Sequence, residues 1–208
     1  MRRISRCRNW SESPSPPLKS QMASSATIAD EAYRSWELQE FATAAELFLK
    51  ASVEEREAAR SRSKWAAPDS SLLYRLRAGL CLFEGREIER AFEFLREGID
   101  FDWKAARLWG DRRDAEKCHI CYIVHHATSC DKSRYSLHVD LAIKDGERLS
   151  MPFPWSVPVK KKAITSALAM DDIDNLSRWV AEIDMKARRG DPELQLLCSL
   201  AEKAVASS

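Results

Sequence analysis

Between Asp30 and Ser61 the chain carries almost nothing but helix formers. Inside that stretch Phe41, Ala44, Ala45, Phe48, Leu49 and Ala51 recur at helical spacing. A helix predicted to open near Thr27 uses that hydroxyl to cap the amide of Asp30. SRSKWAAPDSS (61–71) breaks the pattern, and Asp69 or Ser70 is placed to cap the next helix. Ser71 to Glu84 then reads as a second, strongly apolar helix carrying Leu73, Leu76, Leu80 and Phe83. Beyond Gly85 a partner runs from about Glu87 to Gly98, with Ile88, Ala91, Phe92 and Leu95 inward.

The same reading predicts helices over Asp111–His126, Val157–Ala169, Asp172–Arg188 and Asp191–Ala206. The last start is the most legible: Gly190 ends one helix, Asp191 caps the next, Pro192 fills its first turn and Glu193 suits the dipole. Six glycines and eight prolines are few for 208 residues, which disfavours a turn-rich β fold. An apolar share of 45% is enough for a core. One segment carries two signals. Leu137, Val139, Leu141 and Ile143 alternate with polar neighbours, and Asp145-Gly146 marks a hairpin turn. Ser133 as a cap and Gly146 as a stop favour a helix instead, with a short β-hairpin near 137–152 as the alternative. MPFPWSVP (151–158) reads as an extended connector.

The expected class is therefore all-α: antiparallel helical hairpins closed by C-terminal helices. Residues 1–24, rich in Ser, Pro and Arg, are expected to form a disordered tail ahead of one helical domain over 25–208. Met22 opens a cleaner globular sequence, so residues 1–21 read as an extended start or, less well, a transit peptide. The longest apolar run, Ile120 to Val124, is far short of the ~20 residues of a membrane helix. Lys and Arg number 33 against 32 Asp and Glu, a net +1 that argues against electrostatic nucleic-acid binding. Six cysteines are too sparse for a disulfide scaffold, and a cytoplasmic protein with reduced thiols is expected.

Two hairpins resemble the tetratricopeptide repeat, a helix–turn–helix unit with small residues at the crossing of its helices. Ala32 with Phe41, Ala44, Phe48 and Ala51 match it in the first, and Gly79, Leu82, Ile88, Ala91, Leu95 and Gly98 in the second. Ala44 and Ala91 lie 47 residues apart, against a family period of about 34, and no clean third copy is visible. The resemblance covers 28–103, so residues 25–103 are expected to be repeat-like and 104–208 to complete the core. It implies a groove that holds a segment of another protein. The groove positions of the second unit, Leu73, Leu76, Leu80, Phe83 and Glu84, are so apolar that filling by the chain's own C-terminal half is expected, with Phe153-Pro154-Trp155 as a plug and a hydrophobic partner as the alternative.

Chemistry concentrates in one place. Cys118, His119, Cys121, His125, His126, Cys130 and His138 include all four histidines. Cys118, Cys121 and His125 share a helical face, so they are the candidate ligands if a metal is bound. Seven residues of helix separate Cys118 from His125 by about 10 Å, too far for one zinc ion. The expectation is no metal and no cofactor, with the cysteines acting as small hydrophobes in a buried stripe. Trp103 and Trp109 flank an Arg-rich segment, and Trp and Arg are common interface anchors. The candidate partner-binding residues are therefore Trp103, Lys104, Arg107, Trp109, Arg112 and Arg113. The expected function is non-catalytic recognition of another protein, with neither nucleic acid nor membrane as partner. One narrower reading is a toxin-neutralising protein of the immunity type, by analogy alone. A zinc- or thiol-dependent enzyme built on Cys118–His126 is the third.

Overall fold

A computed structural model describes residues 24–62, 69–99, 109–148 and 157–208. These form ten helices and no strand: α1 (Ser25–Glu37), α2 (Phe41–Ser61), α3 (Ser71–Glu84), α4 (Ile88–Ile99), α5 (Trp109–Thr128), α6 (Lys132–Arg148), α7 (Val157–Ala169), α8 (Ile173–Ala181), α9 (Met185–Gly190) and α10 (Pro192–Ala206). The all-α expectation holds. No helix among the described residues is long and apolar enough to cross a membrane.

The first eight helices pair into four hairpins, each closed by the same turn. Gln39, Arg86, Cys130 and Asp171 have φ of 62°, 69°, 53° and 53°. At each, the left-handed residue donates its N–H to the carbonyl three residues back: Trp36, Phe83, Ala127 and Leu168. The next residue, always acidic (Glu40, Glu87, Asp131, Asp172), donates to the carbonyl five back: Ser35, Leu82, His126 and Ala167. This is the Schellman arrangement, which satisfies the last carbonyls of one helix. The acidic residue's own carbonyl then accepts the first bond of the following helix, from Ala44, Ala91, Tyr135 and Leu176. The turn thus recurs at intervals of 47, 44 and 41 residues.

Counted from that acidic residue, the crossing register is shared as well. Eight positions before it stand Ala32, Gly79, Ile123 and Ile164; four after it stand Ala44, Ala91, Tyr135 and Leu176. All eight are buried. In the first two hairpins both residues are small, and in the second the backbones approach closely. A Cβ on Gly79 would lie 3.1 Å from the Ala91 carbonyl oxygen and 3.0 Å from Phe94 Cβ. In the last two both are large. Tyr135 also donates its hydroxyl to the Ala163 carbonyl at 2.8 Å and accepts from Trp179 Nε1 at 2.7 Å, tying the third hairpin to the fourth.

Two apolar cores result. The first gathers α1–α4 with Ala115, Cys118 and Cys121 of α5, and the second gathers Ile123 of α5 with α6–α10. α5 belongs to both. Within the first core Leu73, Leu76 and Leu80 are buried by their own chain, through residues of α1, α2, α4 and α5. Phe83 packs edge-on to Phe92 at 6.0 Å, while Glu84 stays exposed. The proposed plug, Phe153-Pro154-Trp155, lies outside the described residues, as does the greater part of the tail.

Three expectations are corrected. The β-hairpin near 137–152 is absent from its described part: residues 137–148 are helical. Tyr135, His138, Val139, Ala142 and Gly146 are the buried face at spacings of three and four, and Leu137 is 53% exposed. Asp172–Arg188 is two helices, because Asp184 adopts extended backbone and its carboxylate accepts from Lys186 N, starting α9 afresh. The first cap is Ser24, which accepts from Thr27 N at 3.3 Å, in place of Thr27.

A candidate docking groove

Helices α1, α3 and α5, the first members of three successive hairpins, border a cavity of about 370 Å³ lined by Tyr33, Trp36, Glu37, Arg77, Arg113, Asp114 and Lys117. Its aromatic wall comes from α1. Tyr33 and Trp36 lie nearly parallel, 6.5 Å apart, and both set an edge against the buried ring of Phe48. Trp36 Nε1 donates to Glu84 Oε2 of α3 at 2.7 Å, which fixes the indole plane. Rotamer freedom is thereby removed before any ligand arrives.

The groove floor is an ion pair. Arg77 Nε donates to Asp114 Oδ2 at 2.8 Å, with the side chains only 10% and 7% exposed. A buried pair of this kind adds little net stability, but removing one partner strands the other charge at a cost of about 3–5 kcal/mol. It joins α3 to α5. The Arg77 guanidinium also lies 5.2 Å from the Tyr33 ring centre, and the Lys117 ammonium 4.6 Å from that of Trp36. Arg113 is exposed on the α5 lip, and Glu37 on the α1 lip. The arrangement offers a flat aromatic surface beside two cations, on rigid helices.

Of the partner-binding residues predicted from sequence, Arg113 lines this groove. Trp109 and Arg112 fall in the first turn of α5, and Trp103, Lys104 and Arg107 lie outside the described residues. Sequence reasoning missed Tyr33, Trp36, Arg77, Asp114 and Lys117 as a set. A signal existed for Arg77: an arginine inside the apolar run of α3, at a register that should be covered. Asp114 and Lys117 lie among alternating charges that give no sign of burial, yet Asp114 is 5% exposed.

The Cys/His cluster divides among several surroundings. Cys118 and Cys121 turn into the first core, where Cys118 Sγ lies 3.5 Å from the Leu95 carbonyl. Burial pushes the Cys118 thiol up to about 12 and that of Cys121 higher still, so both stay protonated and weakly nucleophilic. His125 instead lies against Phe92, ring centres 4.6 Å apart. Among the described residues no three His, Cys, Asp or Glu side chains converge as a metal site. His119, His126 and His138 gather around Tyr122 between α5 and α6.

Compared with protein-family models, curated proteins and solved structures, the chain matches none.

Proposed function

We propose that this chain is a non-catalytic recognition module of the tetratricopeptide type, holding a segment of another protein in the groove of α1, α3 and α5. The observation that carries the reading is the pre-set aromatic–cationic wall of Tyr33, Trp36, Arg113 and Lys117 on the first-helix side of the hairpins. Aromatic and arginine side chains on rigid elements lose little entropy on binding and dominate interface energies. The segment that fits lays an apolar side chain on Tyr33 and Trp36 and turns a carboxylate toward Arg113 and Lys117. The described cysteines are free thiols, which suits a reducing, cytoplasmic setting.

The test is capture of partners by the full chain from its own host, read by native mass spectrometry, beside a Trp36→Ala/Lys117→Glu variant. A partner held by the parent and retained at least roughly tenfold less by the variant, with unchanged helical circular dichroism, supports the groove. Equal capture by both proteins, or no partner for either, overturns it.

A further inference from the structure

The third hairpin differs from the others in what it buries at the α5–α6 seam. Seven residues after the acidic turn residue stand Leu47, Phe94, His138 and Trp179; five before it stand Ser35, Leu82, His126 and Ala167. Twelve before it the third hairpin has His119. His138 and His126 thus occupy positions that the other hairpins fill mostly with apolar groups, while at the His119 position the others carry Ile28, Arg75 and Lys160. His119, His126 and His138 are only 3%, 9% and 9% exposed. Tyr122 stacks on His138 at 4.3 Å between ring centres, and His138 stacks in turn on His126 at 5.4 Å. His119 lies 6.3 Å from His138.

The hydrogen bonding leaves the seam short of acceptors. His119 Nε2 donates to Asp145 Oδ2 at 3.0 Å, and the Nδ1 atoms of His119 and His138 are both buried without a hydrogen-bond partner. A second proton on His138 would therefore arrive as an N–H facing no acceptor, beside two further imidazoles. Among the described residues the charges around it are few. Asp145 engages His119, while Asp131 and Arg134 act on His126 with opposite sign. α4 presents the Phe92 ring to Tyr122 and His125, and Lys160 of α7 sits near Asp184 and Cys198.

We propose that this imidazole seam is a pH-operated latch: neutral rings hold α6 against α5, and protonation in mild acid opens the third hairpin. Burial first, then His119 and His126, pushes His138 down to about 4, and burial first, then His125, lowers His126. An imidazole freed by opening titrates near 6.5. The open form thus binds a proton that the closed form refuses. Closure is fully supported above about pH 6.5 and weakens as pH falls toward 4.

Hydrogen exchange of the full chain, corrected for the chemical exchange rate, reads the latch directly. From pH 7.5 to 5.0 the opening constant of the 119–146 segment should rise roughly thirty-fold, while α1–α3 stay within about threefold. His138→Phe, which installs the ring that the second hairpin carries there, should remove most of that rise. A parent with no selective rise, or a variant with the same rise, overturns the proposal. Should His138→Phe fail to fold, imidazole titration of the parent by nuclear magnetic resonance decides. A His138 ring that titrates at or above the ordinary value overturns the latch, and one that stays neutral below pH 5 supports it.

Discussion

The first two hairpins and the next two share a turn and a crossing register, yet solve the crossing with opposite volumes. Ala32 shares this register with Ala44 and Gly79 packs on Ala91, whereas Ile123 shares it with Tyr135 and Ile164 with Leu176. The lesson is that one backbone plan tolerates either close approach of main chains or a wider seam filled by side chains. What it does not tolerate is a mismatch, because interiors are packed near crystal density. The Gly79–Ala91 pair works through backbone proximity. Large pairs derive their stability from buried apolar area and, at Tyr135, from hydrogen bonds reaching α7 and α8.

The comparison breaks most visibly where a wide seam is emptied. Ile123→Ala gives the third hairpin the small residue of the first without moving its helices together. Ile123 is fully buried in the second core, so the substitution leaves a cavity and should cost roughly 3 kcal/mol. Urea unfolding with an unchanged slope should show it as a lower midpoint. A loss under about 1 kcal/mol would mean that the seam collapses onto the alanine and that the two packing modes interconvert freely.

The converse change is smaller because two effects oppose. Gly79→Ala gains up to about 1 kcal/mol of helix propensity. Its new methyl presses on the Ala91 carbonyl oxygen at 3.1 Å and on Leu95 Cγ at 3.1 Å. Relief requires shifting backbone, and overpacking of that kind costs about 1–3 kcal/mol. The expected net is a loss of about 1 kcal/mol in the same urea measurement. A net gain would show that the α3–α4 crossing has slack, and that the small pair is not what holds these helices close.

These contrasts explain why half of the architecture was readable from sequence. Small–small crossings leave a visible Ala/Gly pattern, so the first two hairpins stood out. Ile123/Tyr135 and Ile164/Leu176 look like any core residues, and the third and fourth copies stayed hidden. Ends marked by strong local chemistry were placed correctly: Ser71–Glu84, Val157–Ala169, and the Asp191–Pro192 start. The break at Asp184 was not, since Glu182-Ile183-Asp184 contains no glycine or proline. The groove was legible only as Arg113. Its other members come from three helices up to 84 residues apart in sequence, from Tyr33 to Lys117, and only packing brings them together. The histidine seam was noticed as a cluster. Its meaning came from register, which places His138 where Phe94 and Trp179 stand elsewhere.

The turns sharpen the comparison at the smallest scale, because there all four hairpins agree. None of the left-handed positions is glycine, although a Cβ in that conformation costs about 1–2 kcal/mol against a right-handed residue. Gln39→Gly, Arg86→Gly and Cys130→Gly should each stabilise the chain by about 0.5–1 kcal/mol, less than the strain relieved because glycine also frees the unfolded chain. Asp171→Gly should gain less, since aspartate visits the left-handed region more cheaply. The four sites sit in separate turns, and their effects should add to within about 0.5 kcal/mol. Thermal unfolding of the four single variants and the combined protein checks this. Gains confined to Gln39 and Arg86 would mean that the Cys130 and Asp171 turns are held by tertiary packing around Tyr135 and Trp179, with their own backbone preference counting for little. The shared turn would then be local in the first two hairpins and imposed from outside in the last two.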